Sequence, residues 1–203
     1  ATADWALCLV TKPVANIEYE VLNSDADLLK KGDELLLTGY GCTQPGGSGG
    51  NDGKYRVGEA LITDLPSGSD NDIVTFGGVP GAALCYGDSG GPAFYIDKIS
   101  KKRVVVSVNS RGNIRDTSYL SSVSTSNFKG FLTSWAARNN QKICGYHKDA
   151  KNCRDTKKEP IKFEMQSDKV KLNITLPTTS TLEEPQVKKM YDFFLRRVGE
   201  KCL

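Results

Sequence analysis

The chain has 203 residues and a formal net charge of +3, from 27 Lys and Arg against 24 Asp and Glu. That length supports one large domain, or one domain with a small appendage. The near balance of charge excludes a basic nucleic-acid footprint and a disordered polyelectrolyte, and no apolar run is long enough to span a membrane.

The 20 glycines point to turns and short strands rather than helix bundles. Trp5-Ala6-Leu7-Cys8-Leu9-Val10 is the first apolar run, closed by Lys12-Pro13. Glu34 to Gly41, Tyr55 to Ile62, Ile73 to Phe76, Ala93 to Ile96 and Arg103 to Val108 follow. These runs are bounded by Gly, Pro, Asp and Asn and lack a helical period, so they predict an all-β barrel or sandwich. Gln44 to Gly53 has nothing to bury and reads as an exposed, mobile loop. From Asn127 to Asn140 the pattern changes. Phe128, Phe131, Leu132, Trp135 and Ala136 recur at three- and four-residue steps, which predicts an amphipathic helix.

A polar, charged stretch from His147 to Pro160 reads as a boundary. Beyond it, Ile161, Phe163 and Met165 alternate with polar residues, as do Val170, Leu172, Ile174 and Leu176, predicting a hairpin around Gln166-Ser167-Asp168-Lys169. Val187, Met190, Tyr191, Phe194 and Val198 mark one face of a last helix. The expected organisation is therefore a principal domain over 1–146 and a small ββα extension over 147–203. The opening residues lack the basic, apolar and small-residue succession of a signal peptide.

Six cysteines stand at 8, 42, 85, 144, 153 and 202. An even number without a Cys-x-x-Cys pair argues for disulfides and an oxidising compartment, secreted or periplasmic, and against zinc. His147 is the one histidine, so no multi-histidine metal centre and no cofactor are expected. Asn173-Ile174-Thr175 is a glycosylation triplet; such triplets are common by chance, which favours its being unused.

The chemistry is concentrated in Cys85-Tyr86-Gly87-Asp88-Ser89-Gly90-Gly91-Pro92. A serine between glycines sits on a tight turn with its hydroxyl exposed and backbone amides facing an incoming carbonyl. The adjacent acid points off the same turn in another direction. It is better suited to lock that turn through a buried ion pair than to act as the base.

On these residues the chain resembles the chymotrypsin/trypsin family of serine proteases. Asp4-Trp5-Ala6-Leu7 followed by Lys12-Pro13 is similar to the family's segment around the catalytic aspartate. Gly39-Tyr40-Gly41 is similar to the Gly-aromatic-Gly turn that opens the second barrel. Val108-Asn109-Ser110-Arg111-Gly112 stands where the family has its substrate-pairing strand, and Trp135 lies on what resembles its C-terminal helix. The resemblance covers roughly residues 1 to 140. It implies an all-β, trypsin-like double barrel, with this chain holding the end of the first barrel, the second barrel and the C-terminal helix.

Within that resemblance Ser89 is the nucleophile, Asp4 orients the histidine, and the amides of Gly87 and Ser89 form the oxyanion hole. Ala83, six before Ser89, and Leu84 offer an uncharged specificity pocket; Ser110 and Gly112 pair with substrate. The substrates implied are polypeptides with apolar residues before the scissile bond. Arg111 replaces the usual tryptophan. It reads either as a cation favouring acidic groups at neighbouring subsites or as a solvated surface arginine. The family's usual partner for Cys85, near Gly112, is absent, and since the segments of Cys42 and Cys85 both border the oxyanion region in the family, Cys42 is expected to pair with Cys85; Cys153 with Cys202 is expected to tie the extension together, leaving Cys8 and Cys144 open.

The family's general base has no counterpart here. Its histidine lies upstream of the aspartate, whereas His147 follows the helix in a lysine-rich stretch. The expectation is one piece of a zymogen-derived protease, the histidine supplied by an N-terminal segment outside this chain, either a second chain after internal cleavage or a truncated portion, with the 203-residue chain inactive alone. The activating ammonium that pairs with the acid matching Asp88 is missing as well, so Asp88 is expected to swing toward solvent. The competing reading is a non-catalytic protease homologue acting as a binding module.

Overall fold

Alternating burial along short apolar runs sets the architecture. Leu35 and Leu37 turn inward, joined by Ala60, Ile62, Ile73, Ala93, Val106 and Leu120 in one core, while the intervening Leu61 faces out at 47% exposure. A period of two with one face buried is what a strand of a closed or stacked sheet requires. The computed structural model describes residues 3–154, except Pro13, Ala15, Pro45, Asn51, Val79 and Pro80. It contains β1 (Glu34–Gly39), β2 (Arg56–Asp64), β3 (Asp72–Phe76), β4 (Pro92–Ile96), β5 (Arg103–Gly112), β6 (Thr117–Ser122) and α1 (Ser126–Arg138). All pairings are antiparallel, and the strands close into a barrel in the order β1-β2-β3-β6-β5-β4.

Five of the expected runs become strands. Trp5 to Val10 does not. Its residues take no part in the barrel; Trp5 and Leu7 instead pack against the second core, built on Val123, Phe128 and Leu132, while Leu9 and Val10 are exposed. Conversely, β6 was not foreseeable from apolar content, because its buried residues include Ser118, Ser121 and Ser122. The helix matches its pattern closely. Thr125 caps it, its side chain accepting from the Phe128 amide, and Phe128, Leu132, Trp135 and Ala136 are its buried face.

After α1 the chain turns back onto the barrel. Cys144 bonds Cys153, so Cys153 is not the partner of Cys202; residues nine apart close a local loop instead. The expected boundary after 146 falls inside that loop. Within it, Tyr146 donates its hydroxyl to the Val123 carbonyl, and His147 accepts the Ile143 amide on Nδ1 at 2.9 Å. The segment around Tyr19–Asn23 runs between this loop and β5: Tyr19 bridges Cys153, and Leu22 bridges Val105. Glu20 pairs with Arg103 of β5 and with Arg154 of the returning chain, tying both ends of the domain to one strand. The predicted hairpin and last helix of the extension, with Cys202 and Asn173, lie outside the described residues.

Candidate active site

The turn that presents Ser89 is built by backbone bonds on both of its sides. The Asp88 amide donates to the Cys85 carbonyl at 3.1 Å, closing the turn, and Gly91 donates to the Asp88 carbonyl at 3.1 Å. Gly87 holds φ of 100°, a conformation that a side chain opposes. Cys42 and Cys85 are disulfide-bonded, with Cα atoms 5.2 Å apart, and the Cys42 amide donates to the Tyr86 carbonyl at 3.0 Å. The loop after β1 is thus fastened to the nucleophile turn by one covalent bond and one hydrogen bond.

Ser89 is exposed, and its hydroxyl donates to the Ser110 carbonyl at 3.4 Å. Ser110, in β5, donates its own hydroxyl to an Asp4 carboxylate oxygen at 2.7 Å. The Asp4 amide in turn donates to Ser121 Oγ at 3.2 Å. Residues 4, 89 and 110 are therefore brought together from three separate stretches of chain. Among the described residues, the Gly87 and Ser89 amides donate to no other group. They remain available to an incoming oxygen.

Asp88 does not swing toward solvent. It is half-buried, and its two carboxylate oxygens accept the Gly41 amide at 2.8 Å and the Cys85 amide at 2.9 Å. Two backbone donors replace much of the lost hydration, which is why the acid stays inward without a cation. A β-carbon at Gly39 or Gly41 would run into that carboxylate, so those glycines make its place. Beside it lies a cavity of about 460 Å³ lined by Gly39, Gly41, Val57, Gly58, Ala82 and Asp88. Ser89, Ser110 and Gly112 are not part of its wall.

Ala83 is half-buried and borders the same cavity. Leu84 borders the cavity too; it is 6% exposed, packs in the barrel core, and donates its amide to the Ser118 hydroxyl at 2.9 Å. Gly112 is exposed and pairs with Ser118. Arg111 is exposed, its side chain at 44%, but it is not a freestanding cation. It pairs at 2.5 Å with Asp72, whose side chain is 2% exposed, and its guanidinium lies 4.7 Å from the Tyr119 ring centroid. Burial of Asp72 demands a cation, and Arg111 answers it. This pairing across 39 positions leaves no trace in the sequence, since neither residue sits in an apolar pattern that betrays the other.

Asn109 was overlooked as well, although a polar residue following Val104-Val105-Val106-Ser107-Val108 was a usable signal. Its side chain is 2% exposed and faces the nucleophile turn. Asp116, in the loop after β5, is held below the usual carboxylate range first by Asn113 and then by Thr117.

A serine on a tight turn, two uncommitted amides, and an aspartate reached through Ser110 are components that a serine-peptidase site uses, here on a closed antiparallel barrel. The Trypsin family model matches residues 1–129, and the chain belongs to that family of serine proteases. None of the curated proteins matches the sequence.

Proposed function

We propose that this chain is the nucleophile-bearing part of a secreted serine endopeptidase. In this reading Ser89 Oγ attacks the scissile carbonyl, an imidazole oriented by Asp4 takes its proton, and the Gly87 and Ser89 amides receive the developing oxyanion. The proton then passes to the leaving amine, and water repeats the sequence to release the acyl group. The observation that supports it most is the exposed Ser89 hydroxyl beside two uncommitted amides, linked to Asp4 through Ser110.

The base comes from outside the chain. His147 is the sole histidine, and its ring is taken up by the Ile143 amide in the Cys144–Cys153 loop. Ser89 without an imidazole is an ordinary alcohol. The cavity beside Asp88 has room for an activating ammonium, and its carboxylate oxygens retain acceptor capacity beyond the two amides. Substrate adds as a strand along Ser110 to Gly112: β4 pairs with β5 only as far as Val108, leaving that flank of β5 without a strand partner. Ala83 puts no charge at the position six before Ser89, so apolar residues before the scissile bond are preferred.

The test is covalent labelling by a fluorophosphonate probe. The histidine-complete protein should label at Ser89, Ser89→Ala should not, and the 203-residue chain alone should react poorly. A histidine-complete protein that stays unlabelled overturns the catalytic reading and leaves a binding module. A peptide-library profile dominated by Lys or Arg overturns the pocket assignment.

A further inference from the structure

We propose that Asn109 is the positioning residue that presets the oxyanion donor of Ser89, a role that rests on the reading of Ser89 as nucleophile. Its side-chain amide is buried in β5, and Nδ2 donates twice: to the Asp88 carbonyl at 3.1 Å and to the Thr38 carbonyl at 2.9 Å. Its backbone holds the other side of the nucleophile, accepting the Gly90 amide at 2.9 Å and donating to the Gly91 carbonyl at 2.8 Å. One residue therefore grips the turn before and after Ser89, and anchors it to β1 through Thr38.

The bond to the Asp88 carbonyl is the one with a chemical consequence. That carbonyl and the Ser89 N–H belong to the same peptide plane, and in a trans peptide they point in opposite directions. Fixing the carbonyl inward therefore fixes the N–H outward, toward the place where an oxyanion develops. The Asp88 carbonyl accepts Gly91 as well as Asn109, so both of its lone pairs are used and the plane is held from two sides. The arrangement has a visible cost. Asn109 Oδ1 is buried with no hydrogen-bond partner among the described residues, which an apolar side chain would avoid. It also dictates the neighbouring glycine: a β-carbon at Gly91 would come within 3.0 Å of the Thr38 carbonyl oxygen, 3.1 Å of the Asp88 carbonyl oxygen and 3.2 Å of Asn109 Nδ2. The donor is preset from inside the barrel by a neutral amide, independently of any cation at the Asp88 carboxylate.

The test compares the histidine-complete protein with its Asn109→Leu and Asn109→Asp variants, each checked for folding by its thermal transition. Both substitutions keep roughly the size of the side chain; leucine removes the donor outright, and aspartate, with at most one proton to give, cannot make both bonds. Phosphonylation by the fluorophosphonate and the affinity of a peptide boronate should fall together, by roughly 10- to 100-fold, a fraction of what losing a whole oxyanion donor costs. KM for a peptide substrate should change by less than about 3-fold, so the loss falls on kcat. Equal labelling and boronate affinity in a folded variant overturns the proposal, as does a loss confined to KM. If neither variant folds, the unmodified protein decides in a boronate-bound crystal structure. Asn109 Nδ2 on the Asp88 carbonyl, with the boronate oxygen on the Ser89 amide, supports the role, and an Asn109 side chain turned away refutes it. Absence of labelling in the unmodified protein is a different result, and removes the nucleophile reading itself.

Discussion

Tyr146 shows how one side chain couples packing to solution conditions. Burial raises its phenol from 10.0 to about 12, because the ionised ring is poorly solvated beside Phe128. The folded state thus favours the neutral phenol. The resulting stabilisation is fully present below the unfolded value and is lost as pH rises through the folded one. Stability should therefore decline between about pH 10 and 12, with a component that Tyr146→Phe removes; urea midpoints over that range check it, and identical slopes in both proteins would contradict it. At the same scale, Arg111 illustrates what residue type alone conceals. An arginine in a substrate-facing position reads as a specificity cation, yet here its charge is answered by Asp72 and its plane by Tyr119.

Among the elements, α1 reaches the site through aromatic contacts. Phe128 is 2% exposed and meets Trp5 edge-on, with centroids 5.3 Å apart, while Phe131 stacks on Trp5 at 6.3 Å. Trp5 immediately follows Asp4. Replacing Phe128 by Ala should cost about 3–5 kcal/mol in unfolding free energy. It should also slow labelling of Ser89 in the histidine-complete protein beyond what the folded fraction explains, because the support behind Asp4 is lost. A loss of stability with unchanged labelling of folded protein would show that Trp5 does not transmit the packing. The helix and five strands were legible because apolar residues recur at 3.6 or at two. The tight turn at Ser89 was legible because Gly87, Gly90 and Gly91 flank Asp88-Ser89. β6 was hidden because the barrel buries serines there and satisfies several of them through Leu84, Asp4 and Ser124, which no hydropathy pattern reports. Asp4, Ser89 and Ser110 could be named from sequence, but their convergence through a hydroxyl depends on register. The inward pose of Asp88 depends on two amides whose direction only the folded backbone sets.

For the molecule as a whole, the segment leading to β1 and the chain leaving α1 are joined through Glu20. Its carboxylate serves Arg103 and Arg154 together, and Arg103 also lies 4.8 Å from the Phe94 ring centroid. These side chains are 18% to 32% exposed, so solvent screens the pairs only in part. Glu20→Ala leaves two guanidinium groups facing each other and should destabilise the protein by about 1–2 kcal/mol, in line with hydrogen bonds to charged partners. A shifted urea midpoint at constant slope is the expected result; no shift would mean that the disulfide loop holds the two ends by itself.

The closed barrel has a consequence for motion. No strand can leave it without breaking two ladders, so the amides of β1 to β6 should exchange with solvent only through the rarest and largest openings. Asp4 sits outside that ring, on a stretch held by the Ser121 hydroxyl, the Ser110 hydroxyl and the flank of Trp5. Gly87 and Ser89 lie in the turn before β4, clamped to that ring by Asn109 and by the Cys42–Cys85 bond, whereas Asp4 is held to it by two hydrogen bonds. The lifetime of the assembled site is then governed by how long residues 3–7 stay down on the barrel, a local event far more frequent than unfolding.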